Sequence, residues 1–254
     1  MPPPAPLPNL GNTCYMNASL QVLALLDWSR CRSPHLRELS NAHYMKRAIA
    51  KHQPSFIGTR QHDAHECIVA VLDMVDPQLS CLEYGLVQSF VECNSTGDTS
   101  CVDEPFMVLS VPLPQRSHIE LDDCIHELQE EEVLRGENVW ISPASQARQL
   151  TPLTSAKGMR VVRWPAGDVV FHLKRFKNNR TKIRCDVHCP FTWNGRRLTG
   201  FVIHQGVYGG GHYIAVVHKQ DQWYLCNDSR ITHLSEAQVQ PLLRQSYLLL
   251  YARR

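Results

Sequence analysis

The sequence predicts an α+β fold in which a helical N-terminal third leads into a mostly antiparallel, β-rich remainder. Two segments before residue 80 carry apolar residues at helical spacing. From about residue 86 the character changes to short runs rich in β-branched and aromatic residues, divided by Gly, Pro, Asn and Asp. The chain has 254 residues, 43% hydrophobic and 20% charged, which suffices for one large domain or two small ones around a buried core.

The opening MPPPAPLP, residues 1–8, reads as an extended proline-rich lead-in. Residues 14–27 read as a helix apolar on most sides, and therefore buried. RQHDAHECIVAVLDMVD, 60–76, reads as a second helix: Ala64, Cys67, Ile68, Val71, Leu72 and Val75 recur at helical spacing, and Pro77 ends it. FMVLSVPLP, DVVFHLKRF, LTGFVIHQGVY, HYIAVVH, QWYLCND and SYLLLYA read as strands, interrupted by one acidic helix, DDCIHELQEEEVL, at 122–134. HLKRFKNNRTKIR, 172–184, fits a hairpin turning at NNR with solvated charges better than it fits a nucleic-acid patch.

A net charge of +2 supplies no global field for nucleic acid or an anionic membrane, so neither is expected as a partner. The longest apolar run, VLALL, is far short of the ~20 residues of a membrane span. The N-terminus lacks the charged start and apolar stretch of a secretory signal, so an intracellular location, cytoplasm or nucleus, is expected. The ten cysteines are expected to be reduced, because a disulfide framework belongs mainly to small secreted chains.

In LPNLGNTCYMNASLQ, 7–21, Thr13 or Asn12 can cap the following helix, which leaves Cys14 in its first turn. The positive end of the helix dipole and its unpaired N–H groups would stabilise a thiolate there, and the asparagines offer amide donors to a developing oxyanion. A small apolar residue opening a buried helix would account for Cys14 equally well. GGGHYIAVVHKQDQWYLCNDS, 209–229, breaks that balance. Its glycines allow close backbone approach, and His212 opens a strand. If KQDQ is the hairpin turn, Val217 faces Tyr224, Ile214 faces Asn227 and Tyr213 faces Asp228. Side chains alternate, so Asn227 lies on the face of His212 and Asp228 on the other. Asn227 then holds the imidazole for Cys14, whereas a bulge would exchange it for Asp228. The chain order Cys, His, Asn is that of papain-like cysteine proteases.

NLGNTCYMNASLQ, QHDAHE, HLKRF and GGHYIAVV…WYLCND resemble the ordered signature boxes of the ubiquitin-specific proteases, from about Asn9 to Tyr251. The resemblance implies a right-hand-like domain over 9–252, with a helical thumb over about 9–80 and β-rich fingers and palm over 81–252. It implies Cys14 as nucleophile, His212 as general base, Asn227 as the group orienting it with Asp228 assisting, and Asn9 as oxyanion stabiliser. Asp63 matches an acidic residue that meets the basic tail of ubiquitin, with Gln61 its neighbour. Gly210, Gly211 and Tyr213 would line the channel for the tail's Gly-Gly end.

Many members of that family bind a structural zinc through two CxxC pairs at the finger tips. Counting from EPF, 104–106, and from GENVW, 136–140, puts those positions at Cys93 and Thr96, and at Ser142 and Ser145. Hydroxyls do not replace thiolates in a tetrahedral Zn–S site, so no metal and no cofactor is expected. Cys101 does not restore the pattern by spacing, and CDVHCPF, 185–191, reads as a strand entering a turn rather than a metal site. The expected activity is a monomeric cysteine isopeptidase cleaving after the C-terminal glycine of ubiquitin or a ubiquitin-like modifier. The competing readings are a catalytically weak ubiquitin-binding module and a zinc-dependent structural protein.

Overall fold

A computed structural model describes residues 3–152, 154–177, 181–207 and 209–253. Helix α1 (Cys14–Leu23) is buried along its whole length, as its apolar sequence requires. Its chain then turns, and the Trp28 indole donates to the Leu23 carbonyl, so the helix stops short of residue 27. Helix α2 (Ala42–His52) has no counterpart among the elements expected from the sequence. Its signal is faint: Asn41 caps it, but only Ala42, Met45 and Ile49 are buried, a narrow apolar stripe. Helix α3 (Ala64–Val75) begins where the Asp63 carboxylate accepts from the His65 N–H.

Strands β1 (Gly85–Cys93) and β2 (Thr99–Phe106) form a hairpin. Next come β3 (Val108–Val111), helix α4 (Leu121–Gln129), β4 (Glu132–Arg135), helix α5 (Pro143–Ala147), β5 (Thr154–Arg163) and β6 (Val169–Leu173). The chain closes with β7 (Thr192–Trp193), β8 (Arg196–Val207), β9 (Gly210–Lys219), β10 (Gln222–Asn227), β11 (Arg230–Leu234), helix α6 (Glu236–Leu243) and β12 (Ser246–Ala252).

The expected helix over 122–134 is shorter than its acidic pattern suggests. It ends at Gln129, and Glu132–Arg135 instead pairs antiparallel with β5, with Lys157 Nζ 2.9 Å from Glu132. Pairing supplies the backbone partners that an exposed helix end would lack. CDVHCPF forms no regular strand. The buried Arg175 guanidinium of the HLKRF box holds it, donating to the carbonyls of Ile183, Cys185, Arg244 and Ser246. The arms of the expected hairpin do meet, through a Phe176–Lys182 bridge, while its NNR tip lies outside the described residues.

Two sheets result. A four-stranded antiparallel sheet runs β2-β1-β5-β4, and the larger sheet runs β11-β10-β9-β8-β12-β6-β3, with β7 beside β8 and β3 parallel to β6. The larger sheet is covered on both faces, so its strands read as continuous apolar runs. Along β12, Leu248 and Leu250 pack with α1 and α3, while Leu249 and Tyr251 point to the core that includes Cys124 of α4 and Val239 of α6. Residues 4–8 lie against α1: Leu7 is buried, and Gln21 Nε2 donates to the Ala5 carbonyl at 2.6 Å. Reduced cysteines were expected throughout, but Cys31 and Cys81 form a disulfide that joins the segment after α1 to the loop after α3. Their proximity is tertiary: a shared Asp76 carboxylate accepts from Ser80, Cys81 and Leu82 N–H groups and folds that loop back.

Candidate active site

The β9–β10 hairpin turns at Gln220 and Asp221, both with positive φ, as a two-residue turn requires. Its register pairs Val217 with Tyr224 and Cys226 with Ala215, the pairing expected from KQDQ. Continued toward the hairpin's open end, that register brings His212 and Asn227 onto one face. His212 Nε2 lies 2.7 Å from Asn227 Oδ1. An N–H at Nε2 then donates to Asn227 and leaves the Nδ1 lone pair as the basic atom.

Asp228 points to the other side. One carboxylate oxygen accepts from Asn9 Nδ2 at 2.9 Å and the other from Asn17 Nδ2 at 2.8 Å. Asn9 is further held through its Oδ1, which accepts from the N–H groups of Gly11 and Thr13. Asn17 is a further residue of the site. It sits one helical turn after Cys14, is buried, and also donates to the Leu7 and Pro8 carbonyls. That i+3 spacing is the sequence signal that could have found it.

Cys14 opens α1, as expected, but its cap differs from the expectation. Thr13 occupies the N-cap position without capping, because its hydroxyl accepts from Leu10 N–H instead. Asn12, at positive φ, donates its amide to the Thr59 carbonyl. Cys14 is only 4% exposed. Burial pushes its thiol up, the Asp228 carboxylate adds to the rise, and backbone N–H groups of Tyr213, Tyr15 and Cys14 oppose it. The expected net stabilisation of a thiolate is therefore not met in the free protein: the helix terminus acts in the right direction but burial outweighs it. The Tyr213 contact places the thiol against the strand that carries His212, although no hydrogen bond between Cys14 and His212 is found among the described residues.

Beside this pair lies a cleft of about 450 Å³ lined by Gln61, Asp63, Glu66, Gly210, Tyr213 and Tyr247, among others. Asp63 is not a free carboxylate. One oxygen accepts from the Tyr213 and Tyr247 hydroxyls at 3.0 and 2.7 Å, and the other caps α3. Gln61 Nε2 donates to the Gly211 carbonyl at 3.0 Å, tying the start of α3 to β9. Of the glycines, Gly210 has open space, whereas a Cβ on Gly211 would collide with the His204 imidazole. His204, His65 and His172 add imidazoles to the cleft that the sequence does not signal. Burial holds His172 well below the usual histidine range and His204 at about 4, so both are neutral near pH 7. HLKRF was noted as a box, but periodicity assigns no cleft role to its His172, since alternation fixes only the face of a strand.

The arrangement brings together a thiol at a helix start, an imidazole hydrogen-bonded to an amide, and an open cleft lined in part by Gly210 and Tyr213 of the strand that carries His212. The family model for ubiquitin carboxyl-terminal hydrolases matches residues 28–251. The chain belongs to this family. The matched segment of the hydrolase family includes His212, Asn227 and Asp228 and begins beyond Cys14. The chain is 27% identical to ubiquitin carboxyl-terminal hydrolase 2 of Homo sapiens, in an alignment covering 97% of this chain and 54% of that protein. It is 25% identical to ubiquitin carboxyl-terminal hydrolase 21 of Rattus norvegicus, over 96% of this chain and 60% of that one. The chain thus spans little more than half the length of these relatives. Among solved structures, it is similar in fold to the SAGA DUB module of Ubp8, Sgf11, Sus1 and Sgf73 bound to monoubiquitin, with a TM-score of 0.77 at 22% identity, covering 98% of this chain and 69% of that one. The same module bound to ubiquitin aldehyde gives a TM-score of 0.76 at 21% identity, with 98% and 69% covered. The fold class expected from the sequence is thereby shown. Among the described residues, no helix is long and apolar enough to cross a membrane.

Proposed function

We propose that this member of the ubiquitin carboxyl-terminal hydrolase family is a thiol-dependent isopeptidase that cleaves after the C-terminal glycine of ubiquitin or a ubiquitin-like modifier, acting as a monomer in the cytoplasm or nucleus without a cofactor. The observation that carries this reading is the His212–Asn227 hydrogen bond beside a thiol that opens a buried helix. Its support is chemical. With Nε2 engaged by Asn227, Nδ1 of His212 accepts the Cys14 proton, and the thiolate attacks the glycine carbonyl. The raised thiol pKa makes this proton transfer part of the reaction rather than a preformed ion pair. Asn9 gives one amide hydrogen to Asp228 and keeps the second for the oxyanion, assisted by the N–H of Cys14. His212 then protonates the leaving lysine amine, and water hydrolyses the thioester.

On this reading the modifier's tail lies in the cleft, with Gly210 and Tyr213 along its path and Gln61 beside it. Asp63 acts there as an anchored negative charge shared with two tyrosines, and Glu66 supplies a second carboxylate at the rim.

The test is incubation with ubiquitin carrying a thiol-reactive electrophile at its C-terminus, beside a Cys14→Ala control. An adduct of about one ubiquitin mass, lost in the control, is the expected result. Ubiquitin binding without an adduct would replace the isopeptidase with a binding module. Neither binding nor adduct, followed by reaction with another ubiquitin-like modifier, would move the substrate and leave the chemistry.

A further inference from the structure

The resemblance to ubiquitin-specific proteases implies a zinc site at the finger tip, and the residues at those four positions allow a direct test of fit. They lie at the end of β1 and in the turn after it (Cys93, Thr96), and at the start of α5 (Ser142, Ser145). Although up to 52 residues apart, they converge: Cys93 Sγ is 3.4 Å from Ser145 Oγ, and Thr96 Oγ1 is 3.2 Å from Ser142 Oγ. Ser142 Oγ also lies 3.1 Å from Ser145 Oγ and accepts from the Ser145 N–H. Cys93, Ser142 and Ser145 are fully buried. The four groups thus occupy one small volume, and each is satisfied by another of the set.

The donor chemistry does not fit zinc. A structural site needs thiolates or imidazoles, and its charge balance comes from their deprotonation. Three of the four groups here are neutral alcohols, which keep their protons at any physiological pH and spend them on one another. Cys101 is exposed and pairs with Phe90 further along the hairpin, away from the tip.

A fifth residue completes the network. Asp98 follows Gly97, whose positive φ makes the turn, and accepts from the Ala144 N–H at 3.2 Å. Hydrogen bonds from Ser142 and Thr96 join that backbone donor in holding its carboxyl below the usual range. The main chain is closed as well: Cys93 N–H donates to the Asp98 carbonyl, and the Thr96 and Gly97 N–H groups donate to the Cys93 carbonyl. Asn94 ties the turn to Thr154 on the other side. The tip is therefore built from paired polar groups, buried at Cys93, Ser142 and Ser145 and half-buried at Thr96 and Asp98, and a fully paired network of this kind rigidifies rather than costs stability.

We propose that Cys93, Thr96, Ser142 and Ser145, locked by Asp98, form a metal-independent hydrogen-bonded clasp that closes the finger tip where a tetrathiolate zinc site would otherwise stand. The inference concerns the scaffold alone and does not depend on which modifier the enzyme processes. Its physical basis is substitution of function at fixed geometry: the loops still bring four side chains to one point, and cross-linking passes from metal–ligand bonds to a shared set of protons.

Two measurements on the full chain test it. First, metal content and the melting temperature are measured before and after treatment with EDTA and 1,10-phenanthroline. The expected result is far below one zinc per chain and an unmoved melting temperature. About one zinc per chain, or a chelator-induced fall of several degrees, overturns the proposal. Second, Thr96→Cys, Ser142→Cys and Ser145→Cys are combined and the protein is titrated with cobalt(II). The expected spectrum shows thiolate-to-cobalt charge transfer with tetrahedral d–d bands at about one equivalent. A folded triple variant without that spectrum refutes the convergence of the four positions. Should the triple variant not fold, Ser142→Ala decides: the melting temperature falls by about 2–6 °C and amide exchange speeds up at 93–98 and 142–150. An unchanged melting temperature and exchange pattern would then refute the clasp.

Discussion

The two neighbours Asn227 and Asp228 lie within reach of one active site but do different work, and alanine at each separates them. Asn227 accepts one short hydrogen bond, 2.7 Å, from His212, a ring that in the proposed mechanism becomes cationic on taking the Cys14 proton. Hydrogen bonds to charged groups contribute about 1.5–3 kcal/mol. Asn227 is exposed, so water replaces part of the lost bond and the lower end applies, about 1.5 kcal/mol. That corresponds to a roughly tenfold loss in kcat/KM. Asp228 is part-buried and accepts from two amides. Its removal takes away one of the contacts that hold Asn9, the residue proposed to serve the oxyanion, and Asn17 keeps only its contacts to Leu7 and Pro8, so about 2–3 kcal/mol of stability is lost together with activity. The assay is cleavage of a fluorogenic ubiquitin C-terminal amide from pH 5 to 10, with thermal melting alongside. Asn227→Ala should lower the rate and leave the melting temperature nearly unchanged, because only the exposed hydrogen bond to the imidazole is lost. Asp228→Ala should lower both the rate and the melting temperature, and loss of its charge should move the profile toward lower pH, because that carboxylate helps to raise the Cys14 thiol. If Asn227→Ala left the rate as in the wild type while Asp228→Ala lowered it with the melting temperature unmoved, the register-based assignment of the orienting residue would be wrong.

In the free enzyme, alkylation of Cys14 by iodoacetamide should keep rising through and beyond pH 9, because burial and Asp228 hold the thiol above its ordinary value; a plateau below about pH 8 would show a preformed thiolate. Gly211→Ala forces a Cβ against His204 and the Gln205 carbonyl, both fixed in packed surroundings, and should cost about 1–3 kcal/mol, read as a melting temperature lowered by about 2–10 °C. The Cys31–Cys81 disulfide closes a separation of 50 residues, for which chain entropy gives about 4 kcal/mol. Reductant should therefore lower the melting temperature of a Cys14→Ala protein by about 10 °C but leave a Cys31→Ser/Cys81→Ser/Cys14→Ala protein unmoved. Burial depresses His172 and His204 below their unfolded values, so the unfolded chain binds more protons in acid. Stability should be full above about pH 6.5 and decline as pH falls toward 4, a decline reduced by His204→Phe in chemical denaturation.

Local rules determined much of this protein. The apolar spacing of 64–75 marks α3 whatever surrounds it, and the polar QD at 220–221 fixes a two-residue turn, from which alternation alone puts Asn227 with His212. Counting along the fingers also located four positions that do meet in space. What the sequence left open depends on neighbours distant in the chain. EEEVL has a helical composition, yet β5 offers it a pairing edge, and tertiary pairing outweighs a weak propensity. The Cys14 thiol lies at a helix start that favours its anion, but the sheet packed over it removes water, and desolvation is the larger effect. Nothing near Asp63 in the sequence shows that Tyr213 and Tyr247, from strands far along the chain, close on its carboxylate. Periodicity fixes which face a side chain takes; the solvent, partner and charge it meets there are set only when the elements pack.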